Sequence, residues 1–236
     1  MTTTPSPSAP GLGSGISLSY LAACGETAAG WLRSLEGEPA AGLSQRIYRS
    51  LVLFRNHDAG QACALLDSVA DALGAAPIEP ASIHQLVLRR WHAAMAYRHY
   101  LDGDLDGARA ALDAAEEALG AAASAHAFLL PLMVQTIDFH IQRARIARRQ
   151  NRWSEVGRHL DVIREIHQDR HPFGVTAAGA VYLGDLRRFY FSLSLPPESP
   201  LLADAAYLLD ERWPHLENID RLEEMVFALP DFVIFV

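Results

Sequence analysis

Apolar residues recur at helical spacing in consecutive segments separated by very short connections, and this pairing constrains the chain more than any other feature. Leu43, Ile47, Leu51 and Phe54 follow one another at steps of four, four and three, which puts them on one face of a helix over 43–56. Ala62, Leu65, Leu66, Val69 and Leu73 mark a second helix, with Gly74 and Pro77 as its stop signals. Further helices are predicted over 82–102, 104–119, 125–150 and 152–167. The connections are too short for anything but antiparallel neighbours. Strand-like alternation appears only in the closing Phe232-Val233-Ile234-Phe235-Val236. The fold class that follows is all-α, built from helical hairpins.

The hairpins also resemble one another. The second turn reads Gly103-Asp104-Leu105-Asp106-Gly107-Ala108, followed by Leu112, Ala115 and Leu119. The third reads Asn151-Arg152-Trp153-Ser154-Glu155-Val156, then Leu160 and Ile163, and in the first Ala62, Leu66 and Val69 hold the corresponding offsets. Gly103 suits a left-handed turn conformation, and Ala108 and Ala115 allow two helices to approach closely. This pattern resembles the tetratricopeptide repeat, most specifically over Gly103 to Leu119, with repeat-like pairs at about 43–74, 82–120 and 125–168. The spacing from Ala62 to Ala108 to Val156 is 46 and then 48 residues, longer than the family's 34, so the first helices are expected to be long. The resemblance implies a right-handed antiparallel helix-hairpin solenoid whose first helices line a concave groove. It implies no particular ligand.

Residues 1–15 consist almost wholly of Thr, Pro, Ser, Ala and Gly and read as a flexible arm before a single helical domain over 16–236. The Gly11–Gly15 stretch superficially resembles a nucleotide loop, but no strand precedes it. After His167 the pattern loosens. A helix is expected from Thr176 to Leu193, then Pro196-Pro197-Glu198-Ser199-Pro200 punctuates, and helices over 201–212 and 216–229 complete a C-terminal helical cap over 173–236. The apolar end after Pro230 is expected either to plug the solenoid or to dock on a second copy, making a monomer or a homodimer.

Composition narrows function mainly by exclusion. Acidic residues number 28 against 20 basic ones, a net charge of −8, which argues against nucleic-acid binding through bulk positive charge. Every basic residue is arginine, so lysine chemistry is absent. Two cysteines without metal or redox spacing, no signal-peptide pattern and no long apolar run lead to the expectation of a cytoplasmic protein without a membrane span.

Charge sorts by helix type. The first helices, counting 173–193 as a fourth, carry 12 arginines against three acids, whereas the second helices, with 198–211, carry 14 acids against four arginines. With first helices lining a groove, the groove is expected to be basic and to attract an acidic peptide or protein segment. The candidate groove residues are Arg46, Arg49, Arg89, His92, Gln135, Gln142 and Arg143. Two structural explanations compete: arginines such as Arg98, Arg145, Arg148 and Arg149 near helix C-termini favour the macrodipole, and others can pair with acidic helices across hairpins.

No catalytic motif emerges. There is no HExxH, GxSxG or phosphate-loop sequence, and Glu116-Glu117 and Glu223-Glu224 point to different sides of their helices. His167 and His171 are four apart, but Pro172 removes the helical meaning of that spacing, and His84, His92 and His99 lack a carboxylate partner motif, so neither metal nor cofactor is expected. Trp91, Tyr97, Tyr100, Phe139 and Trp153 are read mainly as packing residues. The function expected is a non-enzymatic adaptor or regulatory protein; the alternative is an all-helical enzyme or small-molecule binder with a pocket between the first helices and the C-terminal segment.

Overall fold

The computed structural model describes residues 39–125, 133, 135–173 and 181–186, and all regular structure among them is helical. Six helices follow in order: α1 Ala40–Arg55, α2 Ala59–Ala75, α3 Ala81–Asp102, α4 Leu105–Ala125, α5 Thr136–Arg149 and α6 Trp153–His167. They form three antiparallel hairpins, α1/α2, α3/α4 and α5/α6. Each hairpin turns on one residue of left-handed backbone: His57 (φ 62°), Gly103 (φ 80°) and Asn151 (φ 58°). These residues lie 46 and 48 apart, the same spacing that separates Ala62, Ala108 and Val156.

The turns close in the same way because each must satisfy the last carbonyls of one helix and the first amides of the next. After α1, His57 N donates to Phe54 O at 3.1 Å and Asp58 N to Leu53 O at 2.9 Å. After α5, Asn151 N donates to Arg148 O at 2.9 Å and Arg152 N to Ala147 O at 2.8 Å, the same paired closure. The following residue then starts the second helix. Asp58 accepts from Gln61 N at 3.2 Å, and Asp104 accepts from Gly107 N at 2.9 Å. Arg152 holds that position in the third hairpin and makes no side-chain cap.

Neighbouring hairpins stack in register. Ser44 of α1 accepts from Arg90 of α3, and Phe54 meets Tyr97 edge to face at 5.8 Å, so α1 and α3 run side by side in the same direction. Arg89 lies over the Phe139 ring and Arg149 over the Tyr100 ring, which makes α3 and α5 parallel as well. Buried Ala93, Ala94 and Ala96 on α3 and Ala108, Ala111 and Ala115 on α4 keep the central hairpin tightly closed, and the apolar residues of all three hairpins join one core.

Some expected boundaries change. Gly74 lies inside the last turn of α2, and the helix stops where Ala76 becomes extended (φ −154°, ψ 135°) before Pro77. Ala125 closes α4 instead of opening α5, because α4 continues beyond Leu119 through buried Ala122 and Ala123; α5 starts only at Thr136. Val181 and Tyr182 are not helical: Phe173 N donates to Val181 O at 2.9 Å, and helix begins at Leu183, where Asp169 accepts from Gly184 N. The arm, the helices expected beyond 193 and the apolar terminus lie outside the described residues.

The central turn separates two roles of glycine. A Cβ at Gly103 would meet nothing, so only its positive φ resists substitution, whereas a Cβ at Gly107 would strike the Asp104 carboxylate. Gly103→Val is expected to cost about 1–2 kcal/mol through the backbone alone. Ala115→Leu, at a fully buried helix crossing, is expected to cost about 1–3 kcal/mol by overpacking. Urea denaturation of both variants checks this; unchanged midpoints would contradict the packing described.

Candidate functional site

The sorting of charge by helix type has a direct structural use. Arg98 of α3 pairs with Asp67 of α2 at 3.3 Å. Arg143 of α5 reaches back to α4, donating to Asp113 at 2.6 Å and standing 2.7 Å from Glu116. Arg109 of α4 pairs with Glu155 of α6 at 3.0 Å and donates to Gln150 at 2.9 Å. In the first two cases a basic first helix is held against the acidic second helix of the hairpin before it.

The candidate groove residues therefore divide. Arg143 is committed to the seam with α4, and its side chain is only 11% exposed. His92 stacks edge-on to Trp91 and lies within the field of Glu117, with burial lowering its pKa more than that carboxylate raises it. Gln135 precedes α5 at the cap position without a side-chain cap bond. Arg46 is half-buried and Arg49 exposed on α1. Arg89 and Gln142 are drawn into the interface of α3 and α5.

That interface contains a buried polar cluster. Arg89, Gln142 and Arg145 are each 5% exposed or less, and Arg145 donates to Gln142 Oε1 at 3.1 Å. Asp138, in the first turn of α5, lies within the fields of Arg89 and Arg145. Burial nevertheless dominates and pushes its carboxyl up to about 7, with the two guanidinium groups opposing. A carboxyl that exchanges its proton near neutrality can transfer a proton. Arg145, expected to serve the helix C-terminus, is instead a member of this cluster, while Arg149 does lie in the last turn and donates to Tyr100 O at 3.0 Å.

A second cluster could not be read from spacing. His140 of α5 and His159 of α6 bring their Nδ1 atoms to 3.0 Å, the His171 ring centroid lies 6.5 Å from that of His140, and His171 Nδ1 is 3.6 Å from Glu165. Burial is the largest cause lowering His140 to about 3 and His159 to about 4, with Arg143 adding to both. Both rings are thus neutral at pH 7, and the hydrogen bond between them needs one to donate and the other to accept. Their separations in sequence, 19 and 12 residues, match no helical period.

These groups set opposing pH responses. The two histidines bind protons below 6.5 when unfolded but resist them when folded, so their contribution is present above pH 6.5 and is lost as pH falls. Asp138 retains its proton in the fold up to about 7 and loses it near 3.8 when unfolded, so its contribution falls as pH rises between those values. Two groups outweigh one: in chelator-treated buffer the melting temperature is expected to fall from pH 6.5 to 5. In a His140→Gln/His159→Gln variant that fall should be reduced or reversed. An unchanged slope in the variant would contradict the assignment.

The Arg143 seam gives a separate expectation. Arg143→Met retains the aliphatic stem but removes both carboxylate contacts, and it is expected to cost about 1–2 kcal/mol in urea unfolding. A loss confined to binding, with no change in stability, would return Arg143 to the groove.

Among the described residues no helix is long and apolar enough to cross a membrane, and no three His, Cys, Asp or Glu side chains are gathered as a metal centre. No protein-family model matches the chain, and neither a curated protein nor a solved structure matches it.

Proposed function

We propose that this chain is a tetratricopeptide-like helical-repeat scaffold, a non-enzymatic adaptor whose parallel first helices receive an acidic segment of another protein. The observation that carries this reading is the equivalence of the three turns at His57, Gly103 and Asn151, which sets α1, α3 and α5 side by side in one direction. Repeated units stacked in this way continue one helical face across the molecule, the arrangement that solenoid proteins use to bind extended partners. Arg46 and Arg49 on α1 supply the basic character of that face, and the buried Arg89, Gln142 and Arg145 between α3 and α5 hold the helices beneath it. Arg143 and His92 contribute to its support.

The test is fluorescence anisotropy with labelled acidic peptides drawn from a Glu/Asp-rich library. Binding is expected to weaken as salt rises, and Arg46→Glu/Arg49→Glu is expected to lower affinity at least about tenfold while leaving helicity unchanged. Equal binding by wild type and variant would count against the reading.

A second reading, an enzyme or small-molecule binder, is favoured by one observation: burial pushes the Asp138 carboxyl up to about 7 against the opposing fields of Arg89 and Arg145. Screening small carboxylates by thermal shift separates the two. Stabilisation of wild type but not of Asp138→Asn would favour this second reading.

A further inference from the structure

The histidine pair between α5 and α6 plays no part in the proposed adaptor face, and its own hydrogen bond limits how many protons it can hold. His140 and His159 meet head-on, with ring centroids 5.3 Å and Nδ1 atoms 3.0 Å apart, so a single proton lies between the two nitrogens. One further proton can enter at the outer Nε2 of the donating ring and leave that bond in place. The next has to take the accepting Nδ1, and two N–H groups then point at each other across 3.0 Å. We propose that this contact is an acid-operated latch: proton uptake by His140 and His159 parts α6 from α5 while the first two hairpins stay closed, uncovering the apolar side of α6.

The surroundings oppose charge on the closed pair. Arg143 of α5 acts on both rings, and it is held in place by Asp113 and Glu116 of α4 at 2.6 and 2.7 Å. Arg109 of α4 and Arg158 of α6 add positive charge beside His159, and His171, when charged, does so beside His140. Glu155 of α6 acts the other way, but it is shared with Arg109, Arg152 and Arg158 at 3.0, 3.6 and 3.8 Å, and Glu165 stands 3.6 Å from His171. Burial first, and these cations after it, hold the closed rings at about 3 and about 4 against the usual 6.5, so opening takes up nearly both protons once the pH is below 6. Both rings lie within the third hairpin, which confines the response to it. Val156, Leu160, Ile163 and Ile166, all buried in the closed hairpin, are the side chains uncovered.

The experiment is amide hydrogen exchange of the full chain between pH 7 and 5, read helix by helix and corrected for intrinsic exchange rates. The opening constant of α6 is expected to rise roughly several hundredfold over that range, and its logarithm by roughly 1.7 between pH 6 and 5, while those of α1 to α4 change less than about tenfold. In His140→Gln/His159→Gln the rise in α6 should drop below about tenfold. An equal loss of protection in all three hairpins would mean global unfolding and would overturn the latch. So would a wild-type α6 slope below about one per pH unit, or an undiminished rise in the variant. Should the double variant fail to fold, His159→Gln decides: an α6 slope roughly halved supports the latch, and an unchanged slope overturns it.

Discussion

The left-handed residue that closes each hairpin is the constraint on which the rest of this structure depends. At His57 and Asn151 it lets two successive amides turn back onto the carbonyls of the helix just completed, and at Gly103 the same backbone reversal follows α3. That reversal determines which face of the second helix meets the first. Val156, Ala108 and Ala62 then occupy equivalent buried positions five residues later. Glycine is the least strained choice, and the histidine and asparagine at the other two turns belong to the few residue types that tolerate this region. The three turns therefore share a geometry without sharing a residue.

Once the hairpins are closed, their stacking requires a second kind of specificity, because apolar faces alone would tolerate sliding by a helical turn. The salt bridges restrict that freedom. Arg98 to Asp67, Arg143 to Asp113 and Glu116, and Arg109 to Glu155 join different hairpins at fixed registers. The more exposed pairs, Arg98 with Asp67 and Arg109 with Glu155, contribute little net stability individually, so their main effect is on alignment, whereas Arg143, with its side chain only 11% exposed, contributes to both. The separations of 46 between Arg90 and Ser44 and of 49 between Arg149 and Tyr100 follow the repeat spacing for the same reason.

Much of the scaffold was legible in the sequence. Helical periodicity located the six long helices among the described residues, and the turn at Gly103 was readable because glycine has a local conformational meaning. Boundaries failed where local signals gave way to packing: α4 runs on through buried Ala122 and Ala123, and the short closure between Phe173 and Val181 delays the next helix. The candidate site was less legible. Arginines on one helix type indicate a charged face, but whether Arg143 points to a groove or to Asp113 depends on the neighbouring hairpin. His140, His159 and Asp138 carried no signal at all, because their proximity and burial arise from the crossing of α5 with its neighbours.

The same interface that hides Asp138 also explains why a polar cluster can persist inside an α-helical core. Hydrophobic residues at Arg89, Gln142 and Arg145 would bind α3 to α5 without regard to register, whereas polar groups must find partners and penalise a shifted arrangement. Asp138 resolves the conflict between two nearby guanidinium groups and a desolvated carboxyl by holding its proton to about neutral pH. Below about that pH the carboxyl adds no negative charge to the interface, so the two helices meet there through hydrogen bonding and packing and not through a full ion pair.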